Sequence, residues 1–358
     1  MSDVNAPQPT SREVVHQARP IETEPKKLAG VPETLGTNTP QRRPRSVSYR
    51  LRGLLQKEDI RRNPLRGIFR RLAWRVHWKL SNEPWLVHAH GGLPYLLPHG
   101  GAAALIYFQG ASEPELANFV KKFLRPGMVF VDVGAHLGEY TILGASMVQA
   151  AGRVHAFEAR PDTFEILARN IQLNEVRNVA AQACGVWKDE GFCEFEKTPD
   201  PSVSALRPNA VAGDGRSLVR VKTISLDHYF SDSKLSKPAL IKIDVEGAEL
   251  QVLKGARSLL SSPEAPVVIV EYGPANTVAF GYRAGEVCDF LKELGYMIYQ
   301  LNGDGLKRIE YPPVLEHAND TCNLIAAKTE LFRDAQEVNQ PRVAQRHREL
   351  APGVHVHN

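Results

Sequence analysis

Asp132-Val133-Gly134-Ala135-His136-Leu137-Gly138 holds the residues best placed to do chemistry. A short apolar run, Met128 to Val131, leads into it, and a helix-compatible run, Glu139 to Gln149, follows. A buried parallel strand that feeds a glycine turn reads this way. Gly134 can take backbone angles closed to other residues, and Gly138 would let the backbone approach a ligand. Main-chain N–H groups at the start of the following helix would suit a carboxylate. Asp132, at the strand end, would suit an ammonium. The spacing is G-x-x-x-G rather than the G-x-G-x-x-G of dinucleotide binders. A second acid, Glu158, ends the next apolar run, Arg153 to Phe157, where a carboxylate can accept from ribose hydroxyls. Together they imply a nucleoside-bearing cofactor without a pyrophosphate, which S-adenosylmethionine satisfies. His136, inside the turn, is a further candidate contact for it.

A second group follows in Ile241-Lys242-Ile243-Asp244-Val245-Glu246-Gly247-Ala248-Glu249. Ligands of open α/β sheets bind beyond the carboxyl ends of strands, and Asp244 and Glu246 fall there. Two carboxylates at that edge could position an acceptor, take its proton or hold a divalent cation. Asp244 is the preferred base. Glu249 reads as a carboxylate favouring a helix N-terminus. Glu271 closes another apolar run and stands evenly between cleft and core. His317, Asn319 and Asp320 precede the last strand and could reach a substrate. His88 and His90 lack a third metal ligand at recognisable spacing.

These residues need strands delivered side by side. Regular alternation begins at Glu113: a helix over 113–123, a strand over 128–134, a helix over 138–150, a strand over 153–158 and a helix from Pro161 to Leu173. Strands follow at 179–185, 240–244, 267–271, 297–301 and 323–327, with helices over 248–260 and 284–294; 189–230 reads as mixed short strands and loops. Such alternation specifies an α/β fold with a mostly parallel sheet covered on both faces.

Before Glu113 the chain changes character. Residues 1–48 carry seven prolines by position 44 and no sustained periodicity, the composition of a disordered segment. An extension over 49–112 follows, basic and helical and then short-stranded. The domain proper is expected over 113–330, with a disordered tail over 331–358. From Trp85 to Ser112 there is no Lys, Arg, Asp or Glu, but the prolines and glycines within it favour short strands and turns over a membrane span. With no secretory pattern at the N-terminus and no C-x-x-C pair among four cysteines, a reducing, cytoplasmic setting is expected.

The chain carries 44 Lys and Arg against 40 Asp and Glu. Thirteen of the basic residues and only two acids lie between Gln41 and Leu80, so the rest is net acidic. The basicity therefore gives no ground for a nucleic-acid partner. Within it, Leu65, Ile68, Phe69, Leu72 and Val76 fall at helical spacing with arginines between them. The reading preferred here packs that stripe on the domain and leaves the arginines in water. The alternative lays a basic amphipathic helix on an anionic membrane.

The stretches DVGAHLGEYT, HAFEARP, IKIDVEGAE with VLKGA, and VIVEYGP, in this order, resemble the FkbM-type methyltransferases. The resemblance runs from about 93 to 328. It implies a class I methyltransferase fold, Rossmann-like with seven strands, using S-adenosylmethionine on hydroxyls of sugars, glycoconjugates or secondary metabolites. By position it implies Asp132, Gly134 and Gly138 as the cofactor turn, Glu158 as the ribose acid, and Asp244 and Glu246 as the motif after the fourth strand. Two residues depart from the pattern: His136 for the usual asparagine and Ala159 for the usual proline. N-methylation of a protein or other amine stands as an alternative, although the Asn/Asp-Pro-Pro-aromatic loop is absent. A non-catalytic cofactor-binding protein is the other.

Overall fold

The computed structural model describes residues 60–61, 63–197, 217–231, 235–303, 305–310, 312–313 and 320–331. The segment 1–48, most of the tail and the pair His317 and Asn319 lie outside them.

The chain opens with helix α1 (Pro64–Leu80), started by Asn63, whose side chain accepts from Arg66 N, with Pro64 at the first helical position. A hairpin, β1 (Trp85–Ala89) and β2 (Leu93–Leu97), turns through positive-φ His90, Gly91 and Gly92. Helix α2 (Gly101–Gln109) follows, and was not expected from sequence. Pro98, Gly100 and Gly101 punctuate its start as a turn would, and it is apolar on all sides, so no helical stripe announces it. Then come α3 (Pro114–Phe123), β3 (Val129–Val133), α4 (Glu139–Val148), β4 (Arg153–Phe157), α5 (Pro161–Leu173) and β5 (Val179–Gln182). Next are β6 (Gly185–Val186), β7 (Gly191–Lys197), β8 (Ser217–Ile224), α6 (Leu226–Tyr229) and β9 (Leu240–Ile243). The remainder is α7 (Glu249–Lys254), α8 (Arg257–Ser261), β10 (Val267–Tyr272), α9 (Pro274–Thr277), α10 (Gly285–Glu293), β11 (Met297–Asn302), β12 (Gly305–Ile309) and β13 (Cys322–Ala327).

One sheet organises the site. Its order is β12-β11-β13-β10-β9-β3-β4-β5, with β10, β9, β3, β4 and β5 parallel and β13 antiparallel between β10 and β11. β3 and β9 are buried at every position because helices cover both faces. The α/β class is as expected, but among the described residues the sheet has eight strands rather than seven. The extra strand, β12, pairs only with β11 at the edge and presents Lys307 and Arg308 to solvent, as an edge protected against further pairing does.

Two other expectations are corrected. The strand expected over 179–185 divides, because β6 leaves the main sheet to pair with β8 in a second, three-stranded sheet, β6-β8-β7. The helix expected over 248–260 breaks into α7 and α8 at Gly255, where a Cβ would lie 2.1 Å from Trp187 O.

The extension before α3 forms a third layer. Trp74, Val87, Tyr95, Leu97 and Ile106 share a core with Leu137 and Ile142 of the main domain. That covering explains why α4 is buried almost all round. Asn170 of α5, fully buried, stitches the layers: its Nδ2 donates to Leu96 O and Leu137 O, and its Oδ1 accepts from Leu96 N. The helix α1 docks, but through Gly67, Trp74 and Trp78, with Trp74 stacked on Tyr107 at 5.2 Å. The stripe of Leu65, Ile68, Phe69, Leu72 and Val76, expected to pack on the domain, is exposed. Aromatic rings of Trp74 and Trp78 fill the contact surface on the opposite side of the helix and leave the apolar stripe outside.

Candidate functional site

A cavity of about 400 Å³ lies at the carboxyl ends of β3, β4, β9 and β10. Asp132, Gly134, His136, Glu158, Asp244, Glu246 and Glu271 all line it. Gly138 does not.

The glycines act first on packing. Gly134, at φ +80°, sits so close to the end of β9 that a Cβ would lie 1.9 Å from Asp244 O. Its freedom lets the glycine turn touch the strand carrying Asp244. A Cβ on Gly138, at φ +92°, would meet Leu167 Cδ1 of α5 at 2.7 Å, not a ligand. His136 takes a left-handed φ of +51°, a region in which asparagine, aspartate and histidine are enriched among non-glycine residues. The histidine thus meets the same backbone demand as the asparagine usual at this position.

Glu158 is buried and closes the turn. Its Oε2 accepts from His136 N and its Oε1 from Arg160 N, each at 2.8 Å. Burial pushes its carboxyl up to about 7 against the pull of those two N–H groups. Asp132 is buried too. Its Oδ2 accepts from Thr141 Oγ1 at 2.6 Å, and its Oδ1 has no hydrogen-bond partner among the described residues. A buried carboxylate oxygen without a donor is costly, so a cationic ligand group at the turn would meet a prepared acceptor. Burial raises the Asp132 carboxyl despite Lys242 and Thr141.

Lys242 was not singled out from sequence. Buried in β9, its Nζ lies 2.7 Å from Asp244 Oδ2 and 4.8 Å from the centre of the Tyr140 ring. Burial alone would push its ammonium down, but Asp244, Asp132 and Glu113 outweigh it and hold the pKa up. Around it the cavity also collects Glu113 and Glu139. Glu139 takes donors from Ser112 N and meets His90 Nε2 at 2.8 Å. Tyr140 and Asn323 both donate to Glu113. The missed residues sit at helix starts or inside an apolar strand; a lysine in a strand buried on both faces is the one signal available beforehand.

Beyond β9 the chain turns sharply: Glu246 takes φ +54° and Gly247 φ +106°. A left-handed glutamate is strained and needs support. Glu249 supplies it, its Oε1 accepting from Val245 N and Gly247 N, while Tyr282 donates to Gly247 O at 2.6 Å. Glu249 therefore positions the loop, a more specific role than the helix-terminal charge expected of it. Asn276 Nδ2 donates to Glu246 Oε2 at 2.9 Å and reaches Glu271 Oε2 at 3.5 Å. Burial and the charges of Asp244 and Glu249 raise Glu246 to about 8. Burial and the same cluster hold Glu271 well above the usual range. Asp244, Glu246 and Glu271 each offer an oxygen within 4.8 Å of the others, the grouping that could hold a divalent cation. His90 pairs with Glu139 instead of joining such a group, and Asp320 is exposed before β13.

Among the described residues, seven carboxylates and one lysine line the cavity. That balance disfavours a pyrophosphate and suits a cationic ligand. Residues 132–298 match the methyltransferase FkbM domain. That match bears out, over this stretch, the resemblance to the FkbM-type methyltransferases. Over 145 residues this chain is 32% identical to the hexuronic acid methyltransferase AglP of Haloferax volcanii, covering 40% of its own length and 56% of that protein. It is 28% identical over 202 residues to the 31-O-demethyl-FK506 methyltransferase FkbM of Streptomyces tacrolimicus, covering 49% and 75%. The chain thus spans little more than half the length of AglP. The crystal structure of methyltransferase FkbM from Methylobacillus flagellatus is similar over 63% of this chain and 54% of that one, at 18% identity and a TM-score of 0.36. No helix of the described residues is long and apolar enough to cross a membrane.

Glu158, expected from sequence to hold the cofactor's ribose, carries a testable pH dependence. Hydrogen bonds from ribose hydroxyls would favour ionised Glu158, whose carboxyl is raised to about 7 in the free protein. Affinity for 5′-methylthioadenosine, which lacks a titrating amino acid, should therefore rise about tenfold from about pH 6 to about pH 8. Glu158→Gln should flatten that profile. A pH-independent wild-type affinity by calorimetry contradicts the assignment.

Proposed function

We propose that the chain transfers the methyl group of S-adenosylmethionine to a hydroxyl of a sugar, glycoconjugate or other small metabolite. The observation that carries this reading is one cavity with two chemically different ends. One end holds the glycine turn, the unpartnered Asp132 Oδ1 and Glu158; the other holds Asp244, Glu246 and Glu271. The first end fits the cofactor's ammonium and ribose, and Phe157, Ala159 and Val186 offer apolar wall to an adenine. Bound there, the cofactor supplies a methyl group already activated on a sulfonium.

The protein's part is then alignment and proton removal. Asp244 accepts from the acceptor hydroxyl and takes its proton as the oxygen–methyl bond forms. Lys242 Nζ fixes the Asp244 carboxylate, and Asn276 fixes Glu246 as a second acceptor for the substrate. The names of the relatives, a hexuronic acid methyltransferase and a 31-O-demethyl-FK506 methyltransferase, support a sugar-type acceptor in the first case and an oxygen acceptor in the second. The test is incubation with methyl-labelled S-adenosylmethionine and a panel of uronic acids, neutral glycosides and macrolide alcohols, beside matched amines. Label on oxygen is expected. Label confined to the amines would replace this reading with N-methylation, and tight cofactor binding without turnover on any acceptor would replace it with a binding role.

A further inference from the structure

We propose that α1 docks the protein on an anionic lipid surface, through the stripe that the rest of the structure leaves uncovered. Six large apolar residues of this one helix face solvent, with Leu65 83%, Phe69 69% and Leu72 58% exposed beside Ile68, Val76 and Leu80. Leu65, Ile68, Phe69, Leu72 and Val76 repeat at three- and four-residue steps, so they form one continuous face. The helix is not loose. Trp74 and Gly67 are buried on its other side, and Arg70 and Arg71 stack on Tyr107 and Phe108. A rigid helix thus presents its aliphatic stripe outward, and an exposed apolar face of this kind marks an interaction surface.

Charge selects the occupant. The helix has no acid, and Arg66, Arg75 and Lys79 are exposed along it. Beside it lies a groove lined by Arg66, Arg70 and Lys121 with His88, His90 and Asn118, and no carboxylate lines it among the described residues. A second copy of the chain would bring two acid-free faces together. The chain just upstream, rich in arginine between Arg42 and Arg62, would add like charge. Lipid headgroups bearing phosphate match the basic flank, while the acyl boundary takes the stripe.

The test uses the full chain with vesicles of phosphatidylcholine alone or with about one-third phosphatidylglycerol. Sedimentation with the anionic vesicles only, weakened at about 0.5 M salt, is expected. Phe69→Ser combined with Leu72→Ser should cut that partition at least tenfold or so while leaving the melting transition in place, since both residues lie in solvent. The wild-type lipid and salt dependence decides the matter even if the double variant expresses poorly. Partition that ignores lipid charge, or no partition at all, overturns the proposal. So does a dimer by light scattering that the double variant dissolves, which assigns the stripe to a second copy.

Discussion

Asp244→Asn is expected to lower kcat by about 10²–10⁴, the usual range for loss of a general base, and to leave cofactor affinity nearly unchanged. β9 delivers Asp244 to the cavity next to the glycine turn, with its side chain 29% exposed and Lys242 Nζ 2.7 Å away. Asparagine keeps the shape and an oxygen that can accept from Lys242, but cannot take up a proton from an alcohol. The loss should therefore fall on turnover at saturating substrates, measured by steady-state kinetics, with calorimetry on the same variant. A collapse in cofactor affinity beside a normal kcat would make Asp244 a cofactor ligand. Activity removed by a chelator and restored by a divalent ion would move the proton chemistry to a cation held by Asp244, Glu246 and Glu271.

Lys242→Met is expected to destabilise the fold by about 3 kcal/mol, the lower end of the cost of breaking a buried ion pair from one side. The lower end applies because Asp244 is partly exposed while Lys242 is not. Without the ammonium, Asp132, Asp244 and Glu113 face one another across the cavity with no compensating charge. Urea unfolding monitored by circular dichroism measures the effect. Adding Asp244→Asn to the Lys242→Met background should recover part of the lost stability, because it removes one of the stranded charges. A Lys242→Met protein as stable as wild type, or no recovery in the double variant, would show that the pair does not hold these strand ends together.

What could be read beforehand was whatever leaves a local mark. The glycine turn, Glu158 at the end of an apolar run, and Asp244 and Glu246 after another are marked by abrupt changes of residue type. The structure gathers those acids, with Gly134 and His136, at one cavity. Glu113 and Glu139 leave no such mark, and Lys242 leaves only a single charge inside an apolar run. A glutamate beginning a helix is ordinary, and only the folded third layer, with Ser112 and His90 on Glu139, turns it into part of a site. Gly138 shows the limit in the other direction. Its type was legible, but its cause is Leu167, twenty-nine residues away. The stripe on α1 was legible as a stripe, while the face it turns to the protein depended on where Trp74, Trp85 and Tyr107 meet. β12 was missed because a short edge strand with two consecutive charges, Lys307 and Arg308, lacks apolar alternation and reads as loop.

Calorimetric titration of the purified chain with S-adenosylhomocysteine tests the central claim most directly, namely that the acid-rich cavity beside β3 and β4 is a cofactor site. The account predicts saturable one-to-one binding, weakened on the order of tenfold or more by Glu158→Ala, since each charge-assisted hydrogen bond to the ribose contributes roughly 1.5–3 kcal/mol. Because Glu158 also holds His136 N and Arg160 N, the variant's melting transition must be recorded alongside. No heat with a folded wild-type protein, or unchanged affinity in a folded Glu158→Ala, would contradict it.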